Sequence, residues 1–153
     1  MPKLPPPADW PRMSSSIFYQ DASAAIDWLC RTFGFEVRLK IEGDEGRIVH
    51  SELTYGDGLV MVGEEGDPND ARPWRQAMKS PKSLGGACTQ SIMFFVDDAE
   101  AHYQHTLSCG AEIVDELSTH DYGAEFWSDR SYGVLDLEGH MWWIVQRLQT
   151  AGQ

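Results

Sequence analysis

The chain reads as an α+β protein of two βαβββ modules in pseudo-twofold arrangement, each sheet curling around a shared groove. Three observations predict this. Residues 17–37 (IFYQDASAAIDWLCRTFGFEV) and 93–114 (MFFVDDAEAHYQHTLSCGAEIV) say nearly the same thing. Asp21 and Asp97 stand 76 residues apart, and so do Gly34 and Gly110. In each copy an aromatic-rich apolar run meets an Asp, an amphipathic stretch follows, and a Gly closes it before a second apolar run. That order is strand, helix cap, helix, C-terminal Gly, strand. A groove lined by two copies of one unit is a natural seat for a ligand.

Each element then follows in turn. Residues 1–13 are an arm. Five of the eight prolines fall here, and proline fixes φ and removes a backbone donor, so the arm is extended rather than helical. Trp10 within it is expected to dock on the body or on a second subunit. The first module spans 14–63. A strand at 14–20 leads to Asp21, which caps a helix over 22–33. Ala22, Ala25, Ile26, Leu29 and Phe33 recur at helical spacing and form its buried stripe. Gly34 ends the helix. Strands follow at 35–42, 47–55 and 58–63, joined by the turns EGDEG and YGDG. Residues 64–89, rich in Gly, Pro and charge, form the linker. The second module spans 90–148, with a strand at 90–96, a helix at 98–108, a strand at 111–117 and a long loop. Strands at 126–136 and 140–147 complete it, with DLEGH at 136–140 as their turn. Residues 149–153 are a tail.

Composition narrows the partners. The 153 residues carry 12 basic and 24 acidic side chains, a formal charge of −12. Phosphate would be repelled, which argues against nucleic acid and against anionic membrane surfaces. No apolar run is long enough to span a bilayer, and the N-terminus lacks an apolar signal core. Cys30, Cys88 and Cys109 are an odd set with no CxxC pair, which fits buried thiols in a reducing cytoplasm better than disulfides or zinc.

Four segments, FYQDASAAIDWLCRTFGFEV, HSELTYGDGLVMVG, VDDAEAHYQHTLSCGAEIV and RSYGVLDLEGHMWW, resemble the vicinal-oxygen-chelate superfamily over about residues 14–147. This is the glyoxalase/bleomycin-resistance/extradiol-dioxygenase group. The last segment is similar to the family's strand-DPEGH-strand ending, with Leu137 in place of the usual Pro. Such a fold hosts isomerases, dioxygenases, thiol transferases and proteins that only bind drugs. The resemblance implies modules paired across a homodimer. It also implies a central metal, with one ligand from the first and last strands of each module. The matching positions here are Ser14, Val62, Ser91 and Trp143. A one-residue slip gives Ser15, Met61, Gln90 and Trp142. Divalent metals want carboxylate, imidazole or water oxygen, and none of these side chains is a strong ligand. The expectation is therefore no cofactor and no metal at the groove centre.

Other candidates carry alternatives. His50 and Glu52 alternate along one strand and share a face; they suit an off-centre metal, an acid–base pair or a solvated polar face. His102 and His105, at i and i+3, have metal-sharing spacing or lie on the helix surface. His120 sits in a loop with no visible partner. His140 follows the EGH turn, as a satisfied turn residue or a weak catalytic candidate. Arg130 and Tyr132 share a face and, with Trp127, Trp142 and Trp143, make an aromatic-plus-cation cluster, either a pocket or packing. Parity sets Trp143 toward the groove with Met141 and Val145, and Trp142 toward the helix. Ser91, Met93 and Phe95, with Ser14, Ser16 and Phe18, complete a groove face suited to an aromatic or apolar small molecule. The expectation is a cytoplasmic, homodimeric, metal-free binding protein that sequesters an antibiotic or metabolite. Its rivals are an enzyme of lyase, isomerase or dioxygenase type working through His50, Glu52 or His140, and an interaction module without ligand.

Overall fold

The computed structural model describes residues 1–152. It holds two compact units: Met1–Cys30 with Gly34–Ser80, and Pro81 onward together with Arg31–Phe33. The first unit contains β1 (Ser15–Tyr19), α1 (Ala22–Phe33) up to Cys30, β2 (Glu36–Glu42), β3 (Ile48–Tyr55), β4 (Gly58–Glu64) and the short α2 (Pro73–Gln76). The second contains β5 (Ser91–Phe95), α3 (Ala99–Ser108), β6 (Glu112–Asp121), β7 (Ser128–Leu135) and β8 (Met141–Gln149). The sheet orders are β1-β4-β3-β2 and β5-β8-β7-β6. In each, the first strand runs parallel to the last and the other pairs are antiparallel. The α+β class and the two like modules stand.

The helices begin and end on the residues that local chemistry selects. Asp21 Oδ1 accepts from Ala24 N–H at 3.0 Å, satisfying one of the orphan donors of the first turn. At the other end Gly34 turns left-handed at φ 87°, and its N–H reaches Cys30 O at 3.1 Å. A side chain there would strain the backbone. In the second copy the cap is Asp98, whose Oδ1 accepts from Ala101 N–H at 3.0 Å. Asp97, the partner of Asp21 in the 76-residue offset, lies one residue outside. The helix it precedes has 10 residues against 12 in the first copy.

Strand alternation then sorts each sheet into two sides. In the first unit Ile17, Tyr19, Leu53, Val60 and Val62 are buried together with the α1 stripe of Ala22, Ala25, Ile26 and Leu29. In the second, Tyr132, Val134, Trp142 and Ile144 are buried. Phe33 joins them from the last turn of α1, its ring centroid 5.4 Å from Trp142 and 5.8 Å from Phe94.

One segment differs from expectation. The strand expected at 111–117 runs to Asp121 and pairs down to Asp121↔Ser128, so the long loop shrinks to 122–127. An edge strand can continue through polar residues such as Ser118, Thr119 and His120, because its outer side needs no apolar cover. Between β4 and β5 the linker carries hydrogen bonds of its own. Gly66 N–H bonds Met78 O at 2.6 Å, Ser80 N–H bonds Glu65 Oε2 at 2.9 Å, and Arg75 Nη2 bonds Glu64 O at 2.9 Å. A Cβ on Gly66 would fall 1.6 Å from Arg75 O, so only glycine admits this approach. The N-terminal arm is tied to its own unit. Arg38 donates to Asp9 O at 2.8 Å and to Asp9 Oδ2 at 2.6 Å, and its guanidinium lies 5.3 Å above the Trp10 ring. Among the described residues no helix is long and apolar enough to cross a membrane. The tail expected at 149–153 begins within β8 and ends at Gln153, outside the described residues.

Candidate functional site

The open side of each sheet is where a ligand has access. In the second unit, β5 and β8 pair Ser91 with Met141, Met93 with Trp143 and Phe95 with Val145. These residues share one side, while Ile92, Trp142, Phe94 and Ile144 share the other. Trp142 is fully buried, as parity required, and Trp143 is half-buried. Met93 and Phe95 are each about half exposed, at 51% and 49%. β7 contributes Gly133 opposite Trp143. A Cβ at Gly133 would come within 2.9 Å of Trp143 Cζ3 and 2.7 Å of Met141 Cε. The edge of the indole therefore lies against bare backbone, where a side chain on residue 133 would displace it. Beside it Arg147 sits 5.3 Å from the ring centroids of both Phe95 and Trp127, and its Nε bonds Asp129 Oδ1 at 2.5 Å.

The cation on this side is thus Arg147, not Arg130. Arg130 and Tyr132 do share a side, but it is the helix side. Arg130 pairs with Gln146, and its Nη2 bonds Glu100 of α3 at 2.5 Å. Gln104 and Arg130 together hold the Glu100 carboxyl below its ordinary range. Tyr132 is fully buried. Its hydroxyl meets His102 Nδ1 at 2.6 Å and Thr106 Oγ1 at 2.8 Å. The strand register decides this: Gly133 faces Trp143, so its neighbours on either side in β7 point away. The signal for Arg147 was present, since it follows Trp143 and Val145 at spacing two.

His102 and His105 share no ligand. Each reaches a carbonyl of the last turn of α1: His102 Nε2 to Phe33 O at 2.9 Å and His105 Nε2 to Arg31 O at 2.8 Å. A carbonyl only accepts, so His102 Nε2 carries the proton and Nδ1 accepts from Tyr132. Burial pushes the His102 pKa down. His120 bonds Ser118 Oγ at 2.9 Å and stacks on Tyr122. His140 closes the DLEGH turn through its backbone, where Asp136 Oδ1 accepts from Glu138 N–H and His140 N–H while Oδ2 accepts from Trp142 Nε1 at 3.0 Å.

In the first unit the open side carries Ser16 and Phe18 of β1, paired with Met61 and Gly63 of β4. Glu52 of β3 pairs with Met61, so His50 and Glu52 belong to this side. Val62, matched above to a ligand position, points the other way and is buried opposite Ile17. His50 Nε2 meets Glu52 Oε1 at 2.9 Å, and Arg38 Nε lies 3.3 Å from Glu52 Oε2. Glu52 is 7% exposed, so a buried carboxylate is held between an imidazole and a guanidinium. With Nε2 donating to Glu52, Nδ1 is the basic nitrogen of a neutral His50. A cavity of about 270 Å³ opens beside this pair, with Phe18, Met61, Trp74 and Arg75 among its walls.

The donor set does not suit a divalent metal. The residues on the open sides near the expected positions are Ser16, Met61, Ser91, Met93 and Trp143, which offer two hydroxyls, two thioethers and an indole; Glu52, beside Met61, has its oxygens engaged by His50 and Arg38. Among the described residues no group of three or more His, Cys, Asp or Glu is placed to hold a metal ion.

Two modules, each a mixed β1-β4-β3-β2-type sheet with one helix-covered and one open side, define a paired-βαβββ protein of the vicinal-oxygen-chelate class. The chain belongs to the Glyoxalase/Bleomycin resistance protein/Dioxygenase superfamily, whose family model matches residues 13–144. It is 33% identical to TioX from Micromonospora sp. ML1, with a TM-score of 0.67 over 89% of this chain and 98% of that one. It is 31% identical over 138 residues to an uncharacterized protein of Mycobacterium tuberculosis, covering 89% of this chain and 74% of that protein. Lactoylglutathione lyase from Agrobacterium tumefaciens, at 17% identity and a TM-score of 0.57 over 93% of this chain and 96% of that one, is similar in fold alone.

Proposed function

We propose that this protein binds a small, flat, aromatic or apolar molecule without a metal, and so sequesters an antibiotic or a metabolite, as a cytoplasmic homodimer. One observation carries the reading: the Trp143 indole packs against the bare backbone of Gly133, with Met93, Met141 and Phe95 on the same open sheet side. Indole, thioether and phenyl groups exclude water and offer stacking surface, while Ser91 supplies a hydroxyl at the rim. Burying one ring there contributes about 2–3 kcal/mol by area. Phe18 and Trp127 extend the apolar surface on their own modules.

The test is calorimetric titration against a panel of aromatic compounds, followed by Trp143→Ala. The variant is expected to weaken binding of a captured ligand roughly tenfold to a hundredfold. A folded variant that binds with unchanged affinity would make Trp143 packing only. Elemental analysis of the purified protein addresses the metal. One tightly held Zn, Ni, Mn or Fe per chain would overturn the metal-free reading.

A second reading, an enzyme of the superfamily, is favoured by the 2.9 Å His50–Glu52 contact. That pair has the geometry of a general base with its orienting carboxylate. A stoichiometric metal that is lost in both His50→Gln and Glu52→Gln would move the conclusion to this reading.

A further inference from the structure

We infer that the cavity of the first module is an anion-reading subsite, so that the ligand carries a carboxylate or sulfonate on its aromatic body. This rests on the reading above that the chain binds a flat small molecule. It adds where on the first module the molecule sits and what charge it bears.

The observation is a cation on the cavity wall. In a chain of formal charge −12, four of the arginines are held by carboxylates: Arg38 by Asp9 and Glu52, Arg72 by Asp70, Arg130 by Glu100 and Arg147 by Asp129. Arg75 makes no ion pair among the described residues, although its charge helps to hold the neighbouring Asp70 carboxyl ionised. Its Nη2 donates to the backbone oxygen of Glu64 at 2.9 Å, and its guanidinium lies 5.4 Å over the Phe18 ring. It is half-buried, on the wall of the 270 Å³ cavity. The backbone bond and the ring fix the fork in place, and its remaining N–H groups have no carboxylate to serve. A planar fork held over an aromatic face matches a carboxylate or sulfonate in a bidentate grip.

The other walls suit the rest of such a molecule. Phe18 and Met61 give an apolar floor, and Ser16 and His50 give polar edges. Trp74, more than half exposed, stands at the side with Arg72 stacked 5.2 Å from its ring. Of the lining residues, all of them described, Glu64 alone is acidic, and its Oε1 is taken by Ile48 N–H at 3.1 Å. The nearby Asp70 carboxylate is engaged by both Nε and Nη2 of Arg72. The cavity therefore presents an aromatic floor and a fixed cation outside any ion pair, with a single acidic wall residue, Glu64, that accepts from the backbone. Its volume suits a body of one or two fused rings.

The experiment compares two probes of one shape, 1-naphthoate and 1-naphthamide, by calorimetry on the full chain. The expected result is roughly tenfold tighter binding of naphthoate at low salt, shrinking as sodium chloride is added. Arg75→Gln keeps hydrogen-bonding capacity and removes the charge. It is expected to erase the naphthoate preference, bringing the two probes to within about twofold of each other. Trp74→Ala is expected to weaken both probes. Circular dichroism and thermal melts check that each variant is folded. Equal binding of the two probes, or a preference that survives in folded Arg75→Gln, would overturn the subsite and leave the broader binding reading intact. Failure of both probes to bind the wild type at millimolar concentration would overturn the subsite, and the Trp143 titrations then decide the broader reading separately.

Discussion

Asp136 shows how much one side chain organises. Its two oxygens receive Glu138 N–H, His140 N–H and Trp142 Nε1–H, so it builds the turn and anchors the most buried indole at once. Asp136→Ala leaves these donors unmet in a buried place. It is expected to cost about 2–4 kcal/mol, read as a drop in the urea midpoint. His102 gives a pH dependence. Its pKa is lowered by burial in the folded state, whereas the unfolded ring titrates at about 6.5. The unfolded chain then binds more protons below about pH 6.5, so stability falls as pH drops through that value toward the folded-state one. Urea titrations at pH 7.5 and 5.0 should show the loss, and His102→Gln should reduce it. At this scale the sequence was legible where chemistry is local, as at Asp21 and Gly34. It was not legible for Arg130 and Tyr132. Their shared side was clear, but which side depended on the pairing of Gly133 with Trp143, a long-range register that spacing alone does not set.

The elements were read nearly complete because each β-strand alternates and each helix is capped. β6 was cut short since its later residues are polar, and only its place at the sheet edge explains why they still pair. The segment between β4 and β5 was read as a linker from its Gly, Pro and charged residues. Composition reports a lack of apolar cover, and it is silent about backbone bonds such as Gly66 N–H to Met78 O. Those bonds give the segment a prediction of its own. Gly66→Ala drives a Cβ into the Arg75 carbonyl, so the stretch that carries Trp74 and Arg75 must shift. The expected outcome is a loss of about 2–3 kcal/mol and faster proteolytic nicking between residues 65 and 80. Unchanged cleavage would show that the segment adapts without cost. Gly133→Ala is the counterpart in the second module. It should displace Trp143 and change its fluorescence even where the melting temperature holds.

For the whole molecule, the repeated sheet order was legible from the offset of Gly34 and Gly110, whereas the assembly state was implied only by resemblance. Light scattering at micromolar concentration is the check on the proposed dimer, and a monomer with or without residues 1–13 would reject it. The division of the chain at α1 has a further consequence, for the order in which the protein is made. Phe33 is 1% exposed, yet the rings that cover it, Phe94 and Trp142, are translated far later. While the ribosome is still adding the second half, the end of α1 stands finished in sequence and unfinished in packing, with Phe33 lacking the rings of Phe94 and Trp142 and the Arg31 and Phe33 carbonyls still awaiting His105 and His102. A nascent chain arrested before β5 should therefore present a sticky helix end to chaperones, and one released after β8 should not.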